Sequence, residues 1–308
     1  MGARKLRVAS KRRAHRSTGD AQTRRSFSDK WSKNPSLAVS QTLDPKSPFQ
    51  TWILERNGYR GFRDAARKLA GAGRILDAGC GNGRVTALLA SLAPKAEVMG
   101  VDLVDLAPAR RNTRRFPNVA LANANLRRPL AKLGTFDFIY CQEVLHHTGN
   151  AKAAFGNLCA LLAPGGKIAI YVYRKKAPAR EFMDDHVRAR IADLPYGKAM
   201  AACRQIAELG RRLSKAETEI RFDAIPLLGI EKGRYTPQRL LYNFFLKCYW
   251  NPALSFEENA VVNYDWYHPQ HCSRHTLDEV LSWFAERKLK IAWHHEDLYG
   301  ITVHGTRA

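Results

Sequence analysis

The sequence predicts an α/β fold: a doubly wound, mostly parallel sheet with an antiparallel last strand, interrupted by an inserted, mainly helical cap. Three observations lead there. Between Arg74 and Tyr173 short apolar runs alternate with helix-like stretches, the pattern of parallel strands covered by helices. The first of those runs ends in a glycine-rich turn that opens a helix. The 308 residues, 45% hydrophobic and 25% charged, suffice for a large core and carry no fibrous or disordered bias.

The strands are expected at Arg74–Ala78, Glu97–Asp102, Val119–Ala122, Phe136–Cys141 and Lys167–Tyr173, with helices over Arg84–Leu92 and Ala151–Leu162. Upstream, Ser47-Pro48 is a cap followed by proline at the first helical position, and Phe49, Trp52, Ile53, Phe62, Ala66 and Leu69 recur at helical spacing. Downstream, Thr276 and Glu279 read as a capping box ahead of Val280, Leu281, Trp283 and Phe284. Lys290–Glu296 and Tyr299–His304 then form a hairpin.

These elements divide the chain into a basic, unstructured arm (1–40), a first core segment (41–173), a helical, aromatic-rich cap (174–275) and a closing helix and hairpin (276–308). Inside the cap, helix-forming runs centre on residues 180–192, 198–213 and 237–249. No apolar stretch is long enough to cross a bilayer. The N-terminus lacks a secretory apolar run, and the six cysteines are scattered without a C-x-x-C pair. A cytoplasmic, reducing setting is therefore expected, although an organellar presequence would share the arm's composition.

The formal charge of +22 suits a polyanionic partner, an anionic substrate or an anionic surface, and equally a solvated basic surface. It is spread between arm and body, so it is not the property of a tail alone.

The chemistry sits in Ile75-Leu76-Asp77-Ala78-Gly79-Cys80-Gly81-Asn82-Gly83. Glycines let the backbone turn tightly and leave room for a ligand, whose anionic end is expected to meet free N–H groups. A dinucleotide site would need a small residue at the third position of G-x-G-x-x-G, where this chain has Arg84 or Thr86. Asp102, ending the next strand, is placed to accept both hydroxyls of a ribose.

With Asp77 to Gly83, Gly100-Val101-Asp102-Leu103, the run from Phe136 to His147 and Leu161 to Gly166, the chain resembles the class I S-adenosylmethionine (SAM)-dependent methyltransferases over about Arg74–Tyr173 and again from Thr276. The resemblance implies SAM as methyl donor. Asp77, Gly79, Cys80, Gly81 and Gly83 would cradle its methionine, Asp102 with Leu103 would hold the ribose, and Asn125-Leu126 would read the adenine. Asn125 stands where the family usually has an acid. Gln142, just past the fourth strand, completes the donor set.

Glu143, His146 and His147 follow that strand at the edge where open α/β sheets bind ligands, and are the candidates for acceptor contact and proton removal; the alternative is a structural loop. Cys80 and Cys141 read as apolar packers. Tyr264, Trp266, Tyr267 and Arg274 are expected in a lid over the acceptor. His268, His271, Cys272 and His275 could ligate zinc in principle, but ligands so close on one irregular strand do not close a tetrahedron, and no metal is expected. Phe27 and Trp31 either fold over the donor or anchor the arm.

The function expected is methyl transfer to oxygen or nitrogen of a small-molecule acceptor. The alternatives are an RNA or protein methyltransferase using the basic arm to reach nucleic acid or another polyanion, and a SAM-binding module without activity; the intact glycine motif argues against the last.

Overall fold

The computed structural model describes residues 19–308, which form two compact units: residues 19–30 with Lys175–Cys272, and Trp31–Arg174 with Ser273–Ala308. The segment read as an unstructured arm contains a helix. Residues 19–33 are helical (α1). What the helix buries is polar: Gln22, Thr23, Ser26 and Lys30. Gln22 Nε2 donates to His268 O at 2.8 Å, Gln22 Oε1 accepts from Gln270 N at 2.7 Å, and Lys30 Nζ meets Asp265 at 2.7 Å. A helix docked through polar side chains has no apolar periodicity, so its sequence reads as an arm. Residues 1–18, which the same expectation covers, lie outside the described residues.

In the sheet-bearing unit α2 (Val39–Leu43) leads to α3 (Pro48–Glu55), whose expected cap forms: Ser47 Oγ accepts from Phe49 N at 3.2 Å. After α4 (Phe62–Leu69), the strands β1 (Arg74–Ala78) and β2 (Glu97–Asp102) and the helix α5 (Arg84–Leu92) fall where the sequence places them. The helix α6 (Ala107–Thr113), rich in arginine, was not expected. β3 (Val119–Asn123) and β4 (Phe136–Gln142) each run one residue further than expected. α7 (Ala151–Cys159) stops before Leu162, which instead begins β5 (Leu162–Tyr173). The pairing of β4 with β5 jumps from Phe136↔Leu162 to Phe138↔Lys167, and Pro164-Gly165-Gly166 lies in the part of β5 that is skipped.

The helical unit contains α8 (Pro178–Ile191), α9 (Tyr196–Leu213), a small hairpin of β6 (Ile220–Phe222) and β7 (Gly233–Tyr235), α10 (Pro237–Phe244) and α11 (Phe256–Tyr267). Its interior is organised around Asp184, fully buried, which accepts from Arg180 Nε, Trp266 Nε1, Tyr267 OH and Lys247 N. α11 takes up residues 263–267 of the stretch expected to be irregular, and 268–275 beyond it lie outside any helix. Its start carries a complete capping box, Ser255 with Glu258, a signal present in the sequence.

The chain returns to the sheet through α12 (Leu277–Glu286), β8 (Leu289–Glu296) and β9 (Gly300–Arg307). Thr276 Oγ1 accepts from Glu279 N at 3.2 Å, but the expected box closes on that side only, because the Glu279 carboxylate is taken by His275 Nδ1 at 2.8 Å. The strand order is β3-β2-β1-β4-β5-β9-β8, with β1 to β5 parallel and β9 antiparallel to β5. Apolar clusters pack on the sheet, one through Phe155, Trp283 and Phe284, the other through Leu54, Leu88 and Tyr140. Among the described residues no helix is long and apolar enough to cross a membrane.

Candidate active site

The strand order reverses between β1 and β4, so their carboxyl ends flank the crevice where open α/β sheets take ligands. The turn leaving β1 is built on glycines in the left-handed region, Gly79 at φ +91°, Gly81 at +54° and Gly83 at +82°. A Cβ at Gly79 would stand 2.3 Å from a Val144 methyl, so only hydrogen fits where this turn passes the loop after β4. The free N–H groups expected here are engaged within the protein. Gly79 N and Cys80 N donate to Val101 O at 2.7 and 3.0 Å, Gly83 N to Cys80 O at 2.8 Å, and Gly81 N to Asp102 Oδ2 at 2.8 Å. The places where side chains would stand on these glycines are likewise taken up, by Val144 at Gly79, Trp31 at Gly81 and Ala109 at Gly83.

Two carboxylates frame it. Asp77 is buried and accepts from Thr86 Oγ1 at 2.6 Å; burial, helped by the charge of Asp102, raises its pKa to about 7 against the opposing hydroxyl bond. Thr86 gave no sequence signal, since only the fold turns it back toward β1. Asp102 also accepts from Leu103 N at 2.6 Å and Val104 N at 3.2 Å through Oδ1. A carboxylate accepts several hydrogen bonds at once, which suits it to a ligand rich in hydroxyls. Leu103, at 38% exposure, is an open apolar surface beside it. Asn125 Oδ1 caps Arg127 N at 3.0 Å, which leaves its amide N–H₂ as a further group for a base. Leu126 is buried.

Gln142 is 8% exposed, and its Oε1 accepts from Tyr140 OH at 2.8 Å. Asn57 Nδ2 links the same pair, 2.8 Å from Tyr140 OH and 3.4 Å from Gln142 Oε1. These contacts fix the amide with Nε2, which has no hydrogen-bond partner among the described residues. Glu143 follows at φ +59°, an uncommon backbone for a residue with a side chain, and its carboxylate lies 3.8 Å from Arg84.

His146 is fully buried, stacked on Tyr173 with ring centroids 3.6 Å apart, and its Nδ1 accepts from Tyr173 N at 3.4 Å. His147 is 8% exposed and sits edge-on to His146. Ser273 N donates to His146 O at 2.9 Å, and a chain of 2.8 Å contacts runs from Ser273 Oγ through His275 to Glu279. This brace was not read from the sequence.

Tyr264, Trp266 and Tyr267 are buried inside the helical unit, where the latter two bond Asp184 and Tyr264 OH donates to Ser26 O at 3.4 Å. Arg274 belongs to the sheet-bearing unit and is half-buried. The imidazoles near them have other partners: His268 meets Ser26 Oγ and Leu194 O, His271 meets Asp20, and His275 meets Ser273 and Glu279. No three metal-ligating side chains converge among the described residues. Burial pushes the Cys80 and Cys141 thiols well up, so they pack as thiols beside the turn.

Comparison with known proteins places a methyltransferase domain over residues 52–216, more than half of the chain. A trans-aconitate 2-methyltransferase of Methylobacterium radiotolerans is 33% identical over 144 residues, 46% of this chain and 52% of that protein. A malonyl-[acyl-carrier protein] O-methyltransferase of Legionella pneumophila is 33% identical over 98 residues, 30% of this chain and 34% of the other. The chain thus spans between a third and a half of the curated relatives it matches. Among solved structures, an O-methyltransferase family protein from Burkholderia thailandensis aligns with 89% of this chain and 58% of its own, at 13% identity and a TM-score of 0.46.

Proposed function

Because the chain belongs to the methyltransferase-domain family, we propose that it moves the methyl group of SAM to an oxygen or nitrogen of a small-molecule acceptor. The observation that carries this reading is the turn from Gly79 to Gly83, bent through three glycines at positive φ and tied to Asp102 at the switch point of the sheet. The carboxylate of Asp102, which ends β2 beside this turn, is the kind of acceptor that a sugar's hydroxyls require. SAM supplies an electrophilic methyl on a sulfonium, so the protein's task is positioning and exclusion of water.

In this reading Asp77, Gly79, Cys80, Gly81 and Gly83 hold the methionine portion, Asp102 and Leu103 the ribose, and Asn125 and Leu126 the base. Gln142 presents its amide N–H₂ beside them. His147, set by the buried His146 and its Ser273 brace, is the group to accept a proton when the acceptor must lose one, with Glu143 as its neighbour at the same edge. The basic body suits an acceptor bearing carboxylates, and two relatives named for acid substrates make trans-aconitate the first probe. A cytoplasmic setting belongs to the same reading, since none of the six cysteines is in a disulfide.

The test is labelled methyl transfer from SAM to trans-aconitate and to a cell extract divided into small-molecule, RNA and protein fractions. Label in the small-molecule fraction supports the proposal; label confined to RNA or protein, with affinity that collapses as salt rises, supports the alternative instead.

A further inference from the structure

α6 carries its charge without a counterpart. The helix packs on α5 and β3 and buries Pro108, Ala109 and Thr113. Its outward side presents Arg110 and Arg111 in the last turn, Arg114 at the cap and Arg115 directly after it, all four exposed. From 106 to 136 the chain has seven Lys or Arg and no Asp or Glu. Among the described residues none of these four arginines is in an ion pair. Elsewhere the protein neutralises its arginines: Arg60 and Arg67 share Asp64, Arg74 meets Glu97, and Arg211 and Arg212 share Glu208.

One or two cations at the carboxyl end of a helix complement its dipole. Four exceed that need, because like charges four residues apart on a helix repel, and Arg110 with Arg114 and Arg111 with Arg115 set two such rows side by side. The anions that would relieve the repulsion have to come from outside the chain. A membrane surface would be met by apolar side chains as well, and among the described residues no large exposed one lies between 106 and 136. Single-stranded nucleic acid would be met by open aromatic rings, but Phe116, the ring next to the four, has the Arg115 guanidinium over it at 5.0 Å. Two short rows of arginines instead match acids repeated every four residues along another helix, whose carboxylates each guanidinium can fork onto.

We propose that this side of α6 is a docking surface for an acidic helix of a partner protein, gripped by Arg110, Arg111, Arg114 and Arg115. The surface is independent of the donor site and of the reading given above for it.

The experiment is fluorescence anisotropy of a labelled helical peptide of Ala with Glu at i, i+4 positions, titrated with the full chain at low and at physiological salt, with poly(U) and phosphatidylglycerol vesicles as competitors. Arg110→Gln/Arg114→Gln is compared with Arg211→Gln/Arg212→Gln, which removes the same charge elsewhere. The α6 variant is expected to bind the peptide about tenfold more weakly than wild type and the control variant less than about twofold, with the difference shrinking as salt rises. Arg110→Lys/Arg114→Lys, which keeps the charge but not the fork, is expected to fall between them. Equal losses in the α6 and control variants would show that only net charge matters, and would overturn the proposal. So would no binding of the peptide by wild type, or poly(U) or vesicles held more tightly than the peptide through the same arginines.

Discussion

The Gly81 main-chain N–H donates to Asp102 Oδ2 at 2.8 Å, joining the turn after β1 to the carboxylate that ends β2. Asp102 also receives Leu103 N and Val104 N. Hydrogen bonds to a charged group contribute about 1.5–3 kcal/mol, so Asp102→Ala should lower stability in urea by about 2 kcal/mol. Asp102→Asn keeps one acceptor and should recover part of that loss. Full stability in Asp102→Ala would mean that the turn is self-supporting.

Gly79→Ala meets two obstacles, a positive φ and a Val144 methyl 2.3 Å away. The backbone costs about 1–2 kcal/mol and overpacking another 1–3 kcal/mol. Val144→Ala in the same chain should relieve the packing part alone. A double variant as unstable as Gly79→Ala in chemical denaturation would show that Val144 is not the constraint.

The central sheet was legible because β1 and β2 are apolar runs ended by chemistry-bearing residues, and Ile75 and Val98 are buried where the pattern puts them. The glycine turn was legible for a related reason: left-handed backbone favours glycine, and here three glycines alternate within five residues. What escaped was polar or nonlocal. α1 is anchored by Gln22, Ser26 and Lys30, which look like solvated positions in a sequence. The Ser273–His275–Glu279 brace exists only because β5 and the chain before α12 meet, as the His275 N to Tyr173 O bond at 2.9 Å records. Tyr264, Trp266 and Tyr267 stand out in the sequence for their chemistry, but Asp184, which Trp266 and Tyr267 bond, lies some eighty residues away in the chain.

Asp77 titrates high in the folded chain, at about 7 against an ordinary 3.8, because burial disfavours its charge. The folded state therefore holds a proton that the unfolded state has released. Stability from this group is full below about pH 4 and declines as pH rises toward 7, by an amount on the order of 4 kcal/mol. Asp77→Asn should flatten that decline in urea midpoints measured across pH 4–7. An unchanged slope would assign the pH dependence elsewhere.

Asp184→Ala removes the partner of Arg180, both fully or nearly fully buried. Leaving one member of a buried pair uncompensated costs about 3–5 kcal/mol. Trp266 Nε1 and Tyr267 OH lose their acceptor as well. Limited proteolysis should then cut within residues 175–272 while the sheet-bearing unit persists; protection equal to wild type would contradict the place given to Asp184.

Equilibrium binding of S-adenosylhomocysteine is the most direct measurement, taken by calorimetry on wild type and on a Gly79→Ala/Asp102→Ala chain whose far-ultraviolet dichroism shows it folded. The account predicts one site per wild-type chain and an affinity at least tenfold weaker in the variant. No binding by wild type, or undiminished binding by the variant, would contradict it.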